Sequence, residues 1–398
     1  MSTLGGDHRL NVAMFSDTYL PQVNGVVTMI RLLEENLREM GHRVYIYTVD
    51  HPKATKRDYV YRIPSVKFPW EKDQRIGFPV DYKKIVRDVS AKEIDIIHTH
   101  TPVIVGYVAG FVARSLKIPG INTYHTMMEE YVHYIPFMEP LLRVYMKGET
   151  RRFCNHYRAV IAPSEKIKKL LLGYGVTAPI EVIPNGVKLE PFQKDFSRQE
   201  ITEFRKRFGI PPERRIFVFV GRLGEEKSID KLLENLERLL KVRKDAHLLI
   251  VGGGPQEGYL RRMASSMKIA DNVTFAGYLN WPDEVSLAYH SSDVFVIASH
   301  TETFGLVVLE AIAAGLPVIA YKDDSFFGMV IDKENGFLCP DKDKMHDSML
   351  NLMENDHMLR EFSENSRKLS LSFSDIANAK KTLRLYERVV NGHSRSDA

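Results

Sequence analysis

Alternation is the feature that most restricts this chain. Apolar runs of strand length take turns with amphipathic stretches of helix length from residue 10 onwards. "LNVAMFS" (10–16) reads as a strand, followed by a loop containing Pro21, Asn24 and Gly25. "VVTMIRLLEENLREM" then sets Val26, Ile30, Leu33 and Leu37 on one helical face, and Gly41 suits the position just past a helix end. "HRVYIYT" is the next strand. A strand, a helix and a strand in that order make a crossover unit, which implies a parallel sheet. "DIIHTH", "GINTYHT" and "AVIAPS" continue the series. A second series starts near residue 215 with "IFVFVGR", "HLLIVGG", "VTFAGY", "VFVIAS" and "PVIAY", again with helical segments between. The charged, Pro-interrupted stretch 185–200 reads as a linker. The expectation is an α/β protein of two doubly wound, Rossmann-like domains in tandem, at 1–190 and 191–373. A last helix, capped by Ser374, has no strand after it; residues 374–398 are expected to pack back on the first domain.

Other bounds agree with two globular domains. A chain of 398 residues is too long for one core, and 44% hydrophobic with 27% charged residues is ordinary globular composition. No apolar leader follows Met1, so no signal peptide is expected. The longest uninterrupted apolar run, 102–113, is well short of the roughly 18 residues that suggest a membrane span. Cys154 and Cys339 stand far apart without a partner motif, against a disulfide framework or a cysteine zinc site. A cytoplasmic location is expected. The net charge of +4 is unevenly spread: residues 1–190 carry 26 Lys and Arg against 20 Asp and Glu, and the remainder carries 29 against 31. That excess is too mild for nucleic acid but fits an anionic surface such as a membrane.

Ligands of doubly wound sheets sit at the carboxyl ends of the strands, which directs attention to the loops there. "VGRLGEEKSID" (220–230) puts Arg222 and Lys227 past a strand. Two cations suit a diphosphate, Arg as a fork and Lys as a point charge, although an ordinary solvated loop is equally consistent. "VGGGPQEGYL" (251–260) has glycines ahead of a helix but not the G-x-G-x-x-G dinucleotide fingerprint; taken alone it is a tight turn. "PQVNGVV" (21–27) sets Gly25 at a helix N-terminus, where backbone N–H groups favour anions, or where Asn24 is a plain cap. In "ETFGLVVLEAIAAGLPVIA" (302–320), Glu302 lies in the loop past a strand and Glu310 within the following helix, whose first residues Gly305 and Leu306 offer free N–H groups. A buried carboxylate needs partners. A ribose with two vicinal hydroxyls is one; an Arg or Lys is the other.

These segments together, with "IPNGV" and "FSDTYLPQVNGVV", resemble the retaining family-4 glycosyltransferases of the GT-B fold, and the likeness runs in order along essentially the whole chain. The resemblance implies two such domains facing an interdomain cleft. It implies Glu310 on the ribose hydroxyls, Glu302 on the donor sugar, and Arg222 with Lys227 on the diphosphate. It further implies Gly25 presenting an amide to the phosphates, Gly305, Leu306 and Val307 lining the nucleotide, and Tyr278 near the base. His125, in "TYHTMMEEY", would touch the transferred sugar; without the family it would read as a structural histidine. His98 and His100 are held as structural or acceptor-side. The implied mechanism is front-face displacement with retention, and no Asp-x-Asp motif stands near these residues, so no tightly bound cofactor and no essential divalent metal are expected.

The acceptor is expected on the first domain. There "EYVHYIPFMEPLLRVYMKGETRRF" (130–153) spaces Arg143, Lys147 and Arg151 four apart, on one helical face beside Val144 and Tyr145. "KFPWEKDQRIGFPVDYKK" (67–84) adds Trp70 among cations. Basic faces with aromatic edges suit a peripheral membrane contact, and a solvated amphipathic helix would look the same. "FSDTYLPQVNGVV" and "TYHTMMEEYVHY" look most like the bacterial diacylglycerol glucosyltransferases, implying UDP-glucose as donor, a 1,2-diacylglycerol acceptor, and peripheral placement on the inner face of the cell membrane. Relatives that mannosylate phosphatidylinositol imply GDP-mannose instead. A family-4 enzyme with a soluble acceptor, or a nucleotide-sugar epimerase of the same fold, is the further alternative.

Overall fold

A computed structural model describes residues 9–22, 24–67, 75–78, 81–125, 139–299, 302 and 305–396, with the side chains of 139–143 and 394–396 outside the description. The chain forms two compact units, Met1–Gly186 with Asp375–Ala398, and Val187–Ser374.

The first unit is built on a seven-stranded sheet. Its strands are β1 (Asn11–Ser16), β2 (Arg43–Val49), β3 (Val60–Ile63), β6 (Ile96–Thr99), β7 (Gly120–Thr123), β8 (Ala159–Ala162) and β9 (Ile180–Val182), in the order β3-β2-β1-β6-β7-β8-β9. Every pairing is parallel. A small antiparallel ribbon, β4 (Ser65–Lys67) and β5 (Arg75–Gly77), follows β3. The helix Gly25–Glu39 ends where expected, with Gly41 in the left-handed region at φ +92°. Its buried face, including Ile30, Leu33 and Leu37, shares an apolar cluster with Val12, Met14 and Ile46 of the sheet and with Ala379, Leu385 and Tyr386 of the last helix, Asp375–Ser396. That helix is further tied by Asn36 Nδ2 donating to Asp375 (2.9 Å) and Asn378 Nδ2 donating to the Pro184 carbonyl (2.6 Å).

The second unit repeats the plan with β10 (Arg215–Val220), β11 (Ala246–Val251), β12 (Val273–Gly277), β13 (Val294–Ile297), β14 (Val318–Tyr321) and β15 (Gly336–Cys339), in the order β12-β11-β10-β13-β14-β15, all parallel. Apart from the half-buried edge strand β12, these strands are almost wholly buried and read as apolar runs, as central parallel strands do. The stretch read as a linker is not one. Val187, Leu189 and Phe192 are buried in this unit's core, and a helix, Arg198–Arg207, starts inside it. A capping box in which Ser197 and Glu200 exchange hydrogen bonds begins that helix. The unit boundary therefore falls between Gly186 and Val187, and the chain leaves the unit after Ser374, which pairs with Val187.

Candidate active site

In each sheet the strand order reverses once. In the second unit it reverses at β10, whose neighbours are β11 and β13. The loops after β10 and β13 therefore lie side by side at the carboxyl edge, where doubly wound sheets take ligands. The loop after β10 carries Arg222, then a single 3-10 turn, Glu225–Lys227. Ser228 closes that turn in the left-handed region (φ 49°, ψ 43°) and starts the helix Ile229–Leu239. Lys227 Nζ forms an ion pair with Glu302 Oε1 from the loop after β13, and both side chains are mostly buried. Arg222 remains extended toward solvent, its Nε 4.0 Å from Glu226. Sequence separation of 75 residues thus disappears at the switch point.

The glycines after β11 have a packing role. A Cβ on Gly252 (φ +120°) would lie 2.0 Å from the Gly221 carbonyl oxygen, and one on Gly254 would lie 2.5 Å from that of Leu223. The two loops run backbone against backbone, joined by Leu223 N–H to the Gly253 carbonyl and Gln256 N–H to the Leu223 carbonyl, both 3.0 Å. Side chains there would push the Arg222–Lys227 loop away from the sheet. The ring of Tyr278, itself largely exposed, covers Gly253.

Glu310 lies in the helix Leu306–Ala313 and is 8% exposed. Gly305 begins that helix with φ +76°, leaving the first N–H groups, those of Leu306 and Val307, at its open end. Neither Arg nor Lys pairs with Glu310 among the described residues. The Trp281 indole Nε1–H donates to Oε1 at 2.9 Å, and the Tyr289 hydroxyl donates to Oε2 at 3.1 Å. Burial pushes the Glu310 carboxyl up to about 7, against the pull of these two bonds. Burial beside the same carboxylate drives the Tyr289 phenol well above its ordinary value.

In the first unit the order reverses at β1, between β2 and β6. Past β1, Asp17 accepts from Thr101 Oγ1 (2.7 Å) and the Val105 N–H (3.0 Å), fixing the loop after β6 to the start of the helix Ile104–Leu116. Burial lifts its carboxyl to about 6. Asn24 caps the helix Gly25–Glu39 by accepting from the Val27 N–H at 3.0 Å, which leaves the Gly25 N–H among the open donors of the first turn. His98, on β6, is held at both ring nitrogens, by Tyr386 Oη and by Thr123 Oγ1, each 2.7 Å away. Its ring packs on His100 with centroids 4.0 Å apart. His100 Nδ1 lies 3.1 Å from Nε2 of His125, two residues past β7. Burial holds all three imidazoles down: His125 to about 4, His98 and His100 well below the ordinary range.

Residues 200–369 match the family model for glycosyl transferases group 1, and residues 23–191 match that for glycosyltransferase family 4. An alpha-monoglucosyldiacylglycerol synthase of Streptococcus pneumoniae is 36% identical over 332 residues, covering 83% of this chain and 75% of that protein. The chain belongs to the family-4 glycosyltransferases.

Other comparisons also span most or nearly all of this glycosyltransferase. A second alpha-monoglucosyldiacylglycerol synthase, from Acholeplasma laidlawii, is 28% identical over 97% of this chain and 99% of its own. A GDP-mannose-dependent alpha-mannosyltransferase of Mycobacterium tuberculosis is 29% identical over 83% and 84% of the two chains. A sucrose-phosphate synthase from Thermosynechococcus elongatus superposes with a TM-score of 0.73 at 21% identity, covering 96% of this chain and all of that one. The fold is GT-B.

Of the residues singled out from the glycosyltransferase's sequence, the structure groups Arg222, Lys227 and Glu302 at one switch point. It puts Glu310 in a separate buried pair of hydrogen bonds, and Gly305, Leu306 and Val307 at the start of the same helix. Trp70 lies outside the described residues, as does the side chain of Arg143. Along the helix Glu139–Cys154, Val144 and Tyr145 are 70% and 60% exposed. Lys147 Nζ sits 5.5 Å from the Tyr174 ring centroid, and Arg151 lies against Gly175. Three residues were missed: Trp281, Tyr289 and the role of His100 as the partner of His125. A lone Trp before a Pro carries no spacing signal, and its 29-residue separation from Glu310 leaves no local pattern to read.

Proposed function

We propose that this glycosyltransferase moves glucose from UDP-glucose to a 1,2-diacylglycerol, with retention at the anomeric carbon, at an anionic membrane surface. The second unit takes the donor. Arg222 and Lys227 meet the diphosphate, Glu302 the sugar hydroxyls and Glu310 the ribose. Gly305, Leu306 and Val307 line the nucleotide, and Tyr278 flanks the base. Gly25 and His125 of the first unit serve the phosphates and the transferred sugar. The acceptor oxygen bonds to the anomeric carbon on the face that the diphosphate leaves. The departing oxygen takes the acceptor's proton, while the two cations offset the charge developing on the diphosphate. No carboxylate pair at glycosidase spacing is required.

The observation that carries the reading is the Lys227–Glu302 pair at the β10/β13 switch point, with Arg222 exposed in the same loop as Lys227. It brings a cation and a carboxylate together on adjacent strand ends, an arrangement that suits the charge and the hydroxyls of a nucleoside diphosphate sugar. The lipid acceptor is supported by the two synthases among the relatives and by the exposed apolar and basic residues of the helix Glu139–Cys154. No helix among the described residues is long and apolar enough to cross a membrane, and we place the enzyme peripherally on the inner face.

Nucleotide release tests this directly. Purified protein is given UDP-glucose, UDP-galactose or GDP-mannose, with and without diacylglycerol in anionic vesicles, in the presence of EDTA. Release from UDP-glucose that rises only with diacylglycerol is expected. Release that ignores the lipid would move the acceptor elsewhere. Preference for GDP-mannose would replace the donor, as the mannosyltransferase relative suggests, and loss of activity in EDTA would overturn the metal-independent mechanism.

A further inference from the structure

We propose that Trp281 is a positioning residue for the donor: its indole N–H aims the Glu310 carboxylate so that one lone pair on each oxygen stays open to a vicinal diol. The inference rests on the reading of Glu310 as the ribose acceptor and names the residue that prepares it. An ionised carboxylate offers about four lone-pair sites, two per oxygen. Trp281 takes one on Oε1 and Tyr289 takes one on Oε2. What remains is one site on each oxygen, side by side, matched to two neighbouring hydroxyls.

The choice of partner matters. An Arg or Lys would bring several donors to the same oxygens and compete with the diol. An indole brings a single donor and no acceptor. Tyr289 has an alternative, since its hydroxyl also lies 3.3 Å from the Val307 carbonyl. The Trp281 N–H is the donor with no second acceptor in the described contacts.

Burial alone does not account for Trp281. The residue is 47% exposed, and its aromatic neighbour Phe192 is 6.5 Å away centroid to centroid. The turn that carries it is pinned by Glu284, which accepts from the Asn280 N–H at 2.9 Å and from Arg207 at 2.6 Å. A half-exposed indole is thus held in place with its polar edge on a buried acid.

The arrangement makes a pH signature. The titratable group facing Glu310 from the helix Asp283–His290 is Tyr289; His290 turns instead to the Phe192 carbonyl, 2.8 Å away. Arg367, from the helix Asp356–Ser370, lies over Gly315, beyond the far end of the Glu310 helix. The ionisation of Glu310 therefore answers chiefly to burial and to the two donated bonds. Removing one donor raises the pH at which the carboxylate forms.

Calorimetric titration with UDP between pH 5.5 and 9 tests this on wild type, Trp281→Phe and Glu310→Gln. The Gln variant removes the carboxylate and reports how much of any pH dependence comes from the UDP phosphate. Wild-type affinity, corrected in this way, should fall as pH drops through about 7. Trp281→Phe should bind roughly tenfold more weakly at pH 7, about the size of one hydrogen bond to a charged group, and should recover toward wild type at pH 9. A Trp281→Phe profile that superimposes on wild type, or that is lower by the same factor at every pH, would overturn the positioning role. Wild-type affinity in Glu310→Gln would instead remove the ribose reading itself, and the inference with it.

Discussion

His100 and His125 meet ring to ring, with Nδ1 of the first 3.1 Å from Nε2 of the second and the planes 20° apart. One of the two nitrogens must donate and the other accept, so both rings cannot be protonated there. Among the described contacts this bond engages Nε2 of His125, and in the proposed function Nδ1 is the nitrogen that faces the substrate. His125→Ala is expected to keep UDP affinity by calorimetry and to lower kcat by roughly 10²-fold, the scale of a lost positioning contact. His100→Ala should lower kcat in the same direction by less. Full activity in His125→Ala would take this residue out of the site.

The stacked imidazoles also set a stability window. A histidine held below its unfolded value binds fewer protons folded than unfolded. Its contribution is intact above the unfolded value near 6.5 and is lost as pH falls toward the folded value, about 4 for His125. Thermal unfolding from pH 7.5 to 4.5 should show wild type losing more stability than His125→Gln, by on the order of 2 kcal/mol. Parallel curves would contradict the buried neutral ring.

Glu310 runs the other way. Its carboxyl is raised from 4.5 to about 7, so the folded state binds the extra proton. Stability is therefore greatest at low pH and falls as pH rises through that window. In Glu310→Gln the amide oxygen keeps the Trp281 bond, and the Tyr289 hydroxyl turns to Val307. The variant should melt higher than wild type at pH 8, by on the order of 2–3 kcal/mol, and equally at pH 4.5. It should lose nucleotide affinity at pH 8. A lower melting point at pH 8 would refute the cost of the buried charge.

Lys227→Met should lower kcat about 10²–10³-fold, the range for removing one preorganised group that meets developing charge. It also leaves Glu302 without its ion-pair partner. Lys227→Met with Glu302→Gln should recover the melting temperature without recovering turnover. Recovery of both would reduce the pair to a structural role.

Lys147→Glu with Arg151→Glu should weaken sedimentation with anionic liposomes, since each cation near such a surface contributes about 1 kcal/mol. Equal sedimentation would leave the helix Glu139–Cys154 as a solvated face.

The architecture was legible because parallel strands buried on both faces cannot hide their apolar runs. β1, β2, β6, β10 and β11 stand out for that reason, and Gly41 and Gly315, both left-handed, punctuate their helices. Short strands at sheet edges were not seen: β3 and β9 have only partly buried residues over much of their length, which blurs the pattern. The Ser197–Glu200 capping box falls inside the stretch that reads as a linker, because the charge there outweighs the buried Phe192 as a signal. The glycines after β11 could be read as an approach to something; only the packed loops reveal that the something is the Gly221 and Leu223 backbone. Glu302 and Glu310 were visible as acids in an apolar stretch, while their partners Lys227, Trp281 and Tyr289 come from other segments and carry no local spacing.

The discontinuity of the first unit bears on how the chain is made. During synthesis an emerging domain can usually close as soon as its own residues are out. Here Tyr386 and Leu385, fully or almost fully buried against the first sheet's side of the molecule, are translated after all of Val187–Ser374. The second unit is one contiguous segment, Val187–Ser374, and takes no residue from the last helix. The first must wait with Ile30, Leu33 and His98 uncovered until the helix Asp375–Ser396 arrives, which makes it the unit that a chaperone or a protease would find open.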